Sequence, residues 1–238
     1  MMDIRGVVFD VDDTLYDMAQ PFFGAYQHFY GARYDLPVQL LFLAFRRYSD
    51  ERFADAQTGR MTMEELYIYR VRMTLRDYGI AVTDEEALAF QRTYTELQYQ
   101  IHLSPVMTSL LDALHNVVCI GVITNGESRH QRNKLRSLDV FPWIPEEQII
   151  VSGDYPFRKP DVRIFREMER RLRLAPESLI YVGDAFDLDI EGACAAGWHS
   201  IWFNHRKRGI PTAAVVRPSA EVTSEEELSA VLQGYLKK

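Results

Sequence analysis

The chain has 238 residues, of which 27 are Lys or Arg and 34 Asp or Glu, for a formal net charge of −7, with 47% hydrophobic and 26% charged residues. That balance belongs to a folded globular protein and not to a disordered one, and its acidic sign argues against a nucleic acid polymer as partner, since phosphate backbones are bound through excess positive charge. No run approaches the ~18 apolar residues of a membrane span, and Cys119 and Cys194 form neither a CxxC nor a Cys/His cluster, which argues against a disulfide framework and a zinc site. The opening Met1-Met2-Asp3-Ile4-Arg5-Gly6 lacks the apolar core of a signal peptide, so a cytoplasmic protein is expected, with one large domain or one domain carrying an insert.

In chain order, apolar runs rich in Val and Ile stand at 6–9, 117–123, 149–151, 179–182 and 200–203. Each is nearly continuous, as in strands buried on both faces of a parallel sheet. Between the later runs the sequence predicts helices: one opened by Ser104-Pro105, then 129–138, 161–174 and 187–196, the last closed by Gly197. Ser224 to Glu227 reads as a capping box starting a final helix. This alternation predicts an α/β fold, a doubly wound parallel sheet. Residues 17–104 break the rhythm. Thr62-x-x-Glu65 and Thr83-x-x-Glu86 are capping boxes and Gly79 stops the helix begun at Thr62, so this stretch reads as a helical insert in a core made of 1–16 and 105–238.

Open α/β sheets place their ligands beyond the carboxyl ends of the strands, and the predicted strand ends are polar. The first ends in Asp10-Val11-Asp12-Asp13-Thr14, where residues two apart project to one side. The second ends in Thr124-Asn125-Gly126, small donors before a helix N-terminus, which suits an anion. Lys159-Pro160 lies in the next loop, and the fourth strand ends in Gly183-Asp184, with Asp187 and Asp189 following. These residues supply carboxylates for a hard cation, a carboxylate free to attack, donors for phosphate oxygens and one point charge. Mg²⁺ shares its coordination in this way among carboxylates, waters and phosphate. Asp10, Asp184 and a phosphate dianion carry −4 against +3 from Mg²⁺ and Lys159, so the site approaches neutrality only when all are present. Lys134 and Lys159 are the only lysines before Lys207 in an arginine-rich chain, and a retained lysine suggests a site wanting a compact charge.

These residues carry a resemblance. The runs 7–15, 122–126, 159–161 and 182–184 with Asp189 resemble the four signatures of the haloacid dehalogenase-like (HAD) hydrolase superfamily, in the same order and after the same strands, and the insert looks like that superfamily's helical cap. The resemblance implies a HAD-like Rossmannoid core and roles for its residues. Asp10 is the expected nucleophile, forming an aspartyl-phosphate, and Asp12 the acid that protonates the leaving oxygen and then activates water. Thr124, Asn125, Gly126 and Lys159 are expected to hold phosphoryl oxygens. Asp10, Asp12 through its carbonyl, Asp184 and Asp189 are expected around Mg²⁺. Dehalogenases of the superfamily lack the second aspartate, so Asp12 favours phosphate chemistry. The runs 123–126, 202–204 and 220–228 look most like the pyrimidine 5′-nucleotidase branch. The expected activity is hydrolysis of a small phosphorylated metabolite, best a nucleoside 5′-monophosphate, by a monomer or homodimer whose cap closes over the site. Another HAD phosphatase (for phosphoglycolate or a sugar phosphate), a phosphomutase or, in another class, a phosphorylation-switched module are the alternatives.

Several residues have plainer explanations. Asp13 suits a turn and Asp187 a helix N-terminus. The insert holds 16 of the 29 aromatic residues, which could stack on a base but more simply fill the core of a thin helical layer. Arg46, Arg47 and Arg60 read as a solvated helix face, and the six histidines show no ligand spacing.

Overall fold

The computed structural model of the protein describes residues 3–212 and 214–236. The chain forms two compact units, Met1–Asp17 with His102–Lys238, and Met18–Ile101.

The first unit is built on a six-stranded sheet of β1 (Gly6–Phe9), β2 (Cys119–Thr124), β3 (Ile149–Val151), β4 (Leu179–Gly183), β5 (His199–Phe203) and β6 (Ala220–Val222). All neighbours are parallel, in the order β3-β2-β1-β4-β5-β6. The chain winds outward from β1 to β3 and then restarts on the other side at β4, so β1 lies at the reversal of strand order, where such sheets open a crevice at their carboxyl ends. Val7, Val8 and Phe9 are fully buried, as are Ile123, Ile150 and Leu179 to Val182. Their continuous apolar sequence is what a strand covered on both faces requires, and each such side chain contributes about 1.5–3 kcal/mol on burial.

The helices divide between the two units. In the second unit α1 (Ala19–Phe29), α2 (Val38–Gln57), α3 (Met63–Arg76) and α4 (Asp84–Leu97) are joined without a strand. In the first, α5 (Pro105–His115), α6 (Ser128–Ser137), α7 (Val162–Leu172), α8 (Glu191–Ala195) and α9 (Glu225–Leu236) follow the strands. Ser104 caps α5 by accepting from the Met107 N–H, with Pro105 at the first helical position. Both capping boxes of the second unit are formed, Thr62 with Glu65 and Thr83 with Glu86, and Gly79 takes the positive φ that ends a helix. There Phe22 stacks its ring 5.0 to 5.7 Å from those of Phe42, Phe45 and Phe90, so these aromatics fill that unit's own core. Arg46, Arg47 and Arg60 lie on exposed faces, paired with Asp50, Asp77 and Asp55. No described helix is long and apolar enough to cross a membrane.

Three local expectations are corrected. The predicted helix 187–196 is two pieces, a π-helical turn at Phe186–Ile190 and then α8, because the Asp189 carboxylate turns back to accept from the Ala185 N–H instead of facing outward. Residues 220–222, too few to announce themselves as a strand, extend the sheet beside β5. At α9 the Glu227 N–H donates to Ser224, but the Glu227 carboxylate accepts from Thr223 and not from Ser224, so the reciprocal half of the box is displaced by one residue.

Candidate active site

The carboxyl ends of β1, β2 and β4 converge. Asp10 follows β1, and its N–H donates to the Val182 carbonyl of β4 at 2.9 Å, which ties the two strand ends together. Asp10, Asp184 and Asp189 each offer a carboxylate oxygen within 4.8 Å of the others, and all three are buried. Asp189 reaches this group through the π-helical turn, a device that re-aims a side chain at functional sites. Gly183 makes room for it, since a Cβ there would lie 2.3 Å from Asp189 Oδ2.

Lys159, 3% exposed, closes the trio. Its Nζ donates to Asp10 Oδ1 at 2.6 Å and to the Tyr181 hydroxyl at 2.9 Å, and lies 2.7 Å from Asp189 Oδ1. Tyr181 is the polar tip on an otherwise aliphatic strand, and its hydroxyl donates onward to the Ile123 carbonyl at 2.7 Å. Asn125 has both side-chain atoms on the Lys159 backbone: Nδ2 donates to the carbonyl and Oδ1 accepts from the N–H, each at 3.0 Å. The Gly126 N–H donates to Ser152 Oγ at 3.1 Å. Thr124, at the end of β2, is buried. In this geometry Asn125 and Gly126 therefore hold loops, Asn125 fixing the segment that carries Lys159.

Asp12 stands apart from the trio. Lys134 Nζ donates to its Oδ1 and Oδ2 at 2.7 and 2.9 Å, with further bonds from Tyr16 and Gln131. Asp13, read from sequence as a turn residue, does adopt a positive φ of 57° and also pairs with Arg206 at 2.7 Å. Arg206 binds Asp17 as well. Arg208, nearly half exposed, donates to Asp184 Oδ2 at 2.8 Å. The loop bearing these arginines is folded by Asn204, which accepts from the Arg208 N–H and donates to its carbonyl.

Burial sets the titration. It raises Asp10 most, Lys159 opposes it, and nearby Asp189 and Asp12 add to it, so the Asp10 carboxyl is pushed up to about 7. Burial, then Asp189, Asp13 and Asp10, drive Asp184 well above the usual carboxylate range against the pull of Arg208. For Asp12 burial also raises, but the Lys134 charge and the hydrogen bonds win and hold the carboxyl well below its ordinary value. Lys159 is the counterpart of Asp10: burial would lower it, yet Asp10 and Asp189 hold its ammonium well above the ordinary lysine value.

A divalent oxygen-loving cation fits this donor set. Asp189 Oδ1, although close to Lys159, is buried with no aligned hydrogen bond. Around the site six carboxylates, Asp10, Asp12, Asp13, Asp17, Asp184 and Asp189, pair with the four cations Lys134, Lys159, Arg206 and Arg208. Lys134, Arg206 and Arg208 lie outside the strand-end motifs. Of these only Lys134 carried a signal, its retention in an arginine-rich chain; the arginines reach the site through a loop whose path no local pattern specifies. Asp187, on the same turn as Asp189, is outside the trio.

The fold and this arrangement define a hydrolase class: residues 4–197 match the haloacid dehalogenase-like hydrolases, and the chain belongs to that family. It is similar to HAD-hydrolase YfnB of Bacillus subtilis, 26% identical over 98% of this chain and 97% of that protein. The crystal structure of YfnB bound to magnesium superposes with a TM-score of 0.68 over 96% of this chain and 98% of the other at 25% identity. The N-acylneuraminate-9-phosphatase of Rattus norvegicus is 28% identical over 97% of this chain and 94% of its own. A 2-haloacid dehalogenase from Pseudomonas syringae pv. Tomato DC3000 is 26% identical, with a TM-score of 0.60 over 98% and 99% of the two chains.

Proposed function

We propose that this protein is a Mg²⁺-dependent phosphomonoesterase for a small phosphorylated metabolite, with a nucleoside 5′-monophosphate as the best single candidate. The observation that carries the reading is the pair of carboxylates ending β1. Asp10 sits in the acidic trio against Lys159, while Asp12, two residues on, is held by a separate lysine. One carboxylate set among the acids and a second held outside them, two residues apart, supply a nucleophile and a separate proton carrier. A carbon–halogen bond leaves halide, which needs no proton, so the second carboxylate suits loss of an alcohol from a phosphate ester and not dehalogenation. The relative named as N-acylneuraminate-9-phosphatase supports the same chemistry.

Asp10, Asp184 and Asp189, with the Asp12 carbonyl, are the groups that would hold Mg²⁺, which supplies charge neutralisation for a phosphoryl group in transfer. Lys159 keeps an Asp10 oxygen fixed and places its positive charge where phosphoryl oxygens arrive; Thr124 lies at the adjoining strand end. An Asp10 oxygen attacks phosphorus, the bond from phosphorus to the ester oxygen breaks, and its electron pair leaves with the alcohol oxygen. Asp12 delivers a proton to that oxygen. Because the clamp keeps Asp12 ionised beforehand, the proton enters with the substrate, whose second ionisation lies near pH ~6. Asp12 then takes a proton from the water that attacks phospho-Asp10, the bond from Asp10 to phosphorus breaks, and phosphate leaves with the proton passed on from Asp12, so both carboxylates are regenerated.

Phosphate release from a panel of nucleotides, sugar phosphates and phosphoglycolate tests this. With Mg²⁺ the protein should turn over at least one of them, and both EDTA and Asp10→Asn should abolish release. Activity that survives Asp10→Asn would remove the covalent route, and transfer of phosphate within a sugar phosphate without release would make the protein a mutase.

A further inference from the structure

Beside the pair of Asp10 and Lys159, the end of β1 holds a second pair, in which a buried lysine with no part of its own in the reaction scheme meets the half-buried Asp12. Lys134 lies on α6 with its side chain 3% exposed, and its Nζ donates to both oxygens of Asp12, at 2.7 and 2.9 Å. Gln131, three residues earlier and so on the same helix face, donates from Nε2 to Asp12 Oδ2 at 2.9 Å and to the Asn125 carbonyl at 3.1 Å. The Tyr16 hydroxyl donates to Asp12 Oδ1 at 2.6 Å. Each Asp12 oxygen thus accepts two hydrogen bonds, which fills the roughly four lone-pair positions a carboxylate offers. No position remains for the oxygen of a departing alcohol while all three donors are in place.

The three donors are not equal. Lys134 makes a charged contact to both oxygens from a buried site, the stronger and less easily rehydrated kind. Gln131 and Tyr16 each make one neutral bond, and Gln131 keeps the Asn125 carbonyl as a partner when it lets go. We propose that Lys134 is a positioning residue for proton transfer: it anchors Asp12 by both oxygens, and Gln131 or Tyr16 yields its place to the leaving oxygen. Lys134 keeps its own proton throughout; the proton that moves is the one Asp12 passes to the alcohol. The proposal rests on the phosphomonoesterase reading.

Two aryl phosphates separate an effect transmitted through Asp12 from a loss of structure. The p-nitrophenolate ion departs without a proton, whereas phenol, with a pKa of about 10 like tyrosine, needs one. The measurement is kcat/KM with Mg²⁺ for p-nitrophenyl phosphate and phenyl phosphate, because kcat/KM reports the step in which the leaving group departs. Lys134→Met should lower the phenyl phosphate value by about a hundredfold, the lower range of acid–base contributions, and change the p-nitrophenyl phosphate value little. The ratio of the two is independent of how much of the preparation is folded. In an Asp12→Asn background Lys134→Met should cost nothing further, since its effect runs through Asp12. Equal losses on both substrates, or a full further loss on top of Asp12→Asn, would overturn the proposal alone. Failure of the unaltered protein to release phosphate from either probe and from every member of the metabolite panel would instead overturn the phosphomonoesterase reading and take this proposal with it.

Discussion

Replacing Lys159 with Met removes the cation that lies between Asp10 and Asp189, at 2.6 and 2.7 Å, in a site where its side chain is 3% exposed. At an effective dielectric of about 20, one such contact is worth about 6 kcal/mol of Coulomb attraction, much of it offset by the burial of the charges. Removing one partner of a buried pair nevertheless leaves the other charge stranded, and such changes cost about 3–5 kcal/mol. For a chain of this length that corresponds to a fall in Tm of about 6–20 °C in metal-free buffer. The pH dependence gives a sharper signature. Lys159, whose pKa is raised, stays charged throughout the neutral range, so its contribution is lost only at alkaline pH. Asp10 is a carboxyl with its folded pKa raised to about 7, so it favours the fold most in acid and loses that advantage as pH rises toward that value. Without Lys159 the penalty for ionising Asp10 grows. Urea unfolding with EDTA present should therefore show a deficit of Lys159→Met that is larger at pH 8 than at pH 5. A deficit below about 1 kcal/mol, or one that shrinks as pH rises, would refute the reasoning.

The raised carboxyls of Asp10 and Asp184 also make protons and Mg²⁺ competitors, so calorimetric Mg²⁺ affinity should rise from pH 5 and level off near the Asp10 value of about 7. A flat profile would contradict that competition. Arg208 donates to Asp184 Oδ2 at 2.8 Å and has to leave that oxygen free for a metal; Arg208→Ala should tighten Mg²⁺ binding about tenfold, one kcal-scale contact being removed from the metal-free side, as read by calorimetry. Gly183→Ala would drive a Cβ to 2.3 Å from Asp189 Oδ2, so it should weaken Mg²⁺ binding without altering any ligand. In the helical unit the Arg70 guanidinium is buried over the Phe45 ring at 4.3 Å, bonded to Ser49 and Gln91, with burial lowering its pKa to about 10. Arg70→Ala should cost about 3–5 kcal/mol in urea unfolding, whereas Arg70→Met, which keeps the volume and removes the buried charge, should cost clearly less.

The sequence was most legible where local chemistry and the fold ask for the same residue. Continuous Val and Ile runs announced β1 to β5 because both faces of those strands are buried, and the capping boxes at Thr62 and Thr83 announced helix starts because cap geometry is local. The polar strand ends pointed to Asp10 and Asp184 because a doubly wound sheet gathers its ligands there, and Lys159 stood out as a lysine in an arginine-rich chain. What stayed hidden depends on distance along the chain. Lys134 and Gln131 meet Asp12 across more than a hundred residues, and Arg206 and Arg208 meet Asp13 and Asp184 from a loop set by Asn204. Asn125 reads as a phosphate donor from its motif, and its amide also bonds the Lys159 backbone through both Nδ2 and Oδ1, a pairing that only the tertiary fold brings about. The π-helical turn at Asp189 likewise follows from a carboxylate turning inward, which the helical pattern of 187–196 does not reveal.

If the acids at 10, 184 and 189 form one cation site at the end of the sheet, a crystal structure of the protein grown with Mg²⁺ and without phosphate will show a single ion bonded to Asp10 and Asp184 at about 2.0–2.1 Å, with Asp189 bonded directly or through water and Arg208 withdrawn from Asp184. An ion bound elsewhere, or no ion and Arg208 still on Asp184 at saturating Mg²⁺, would contradict it.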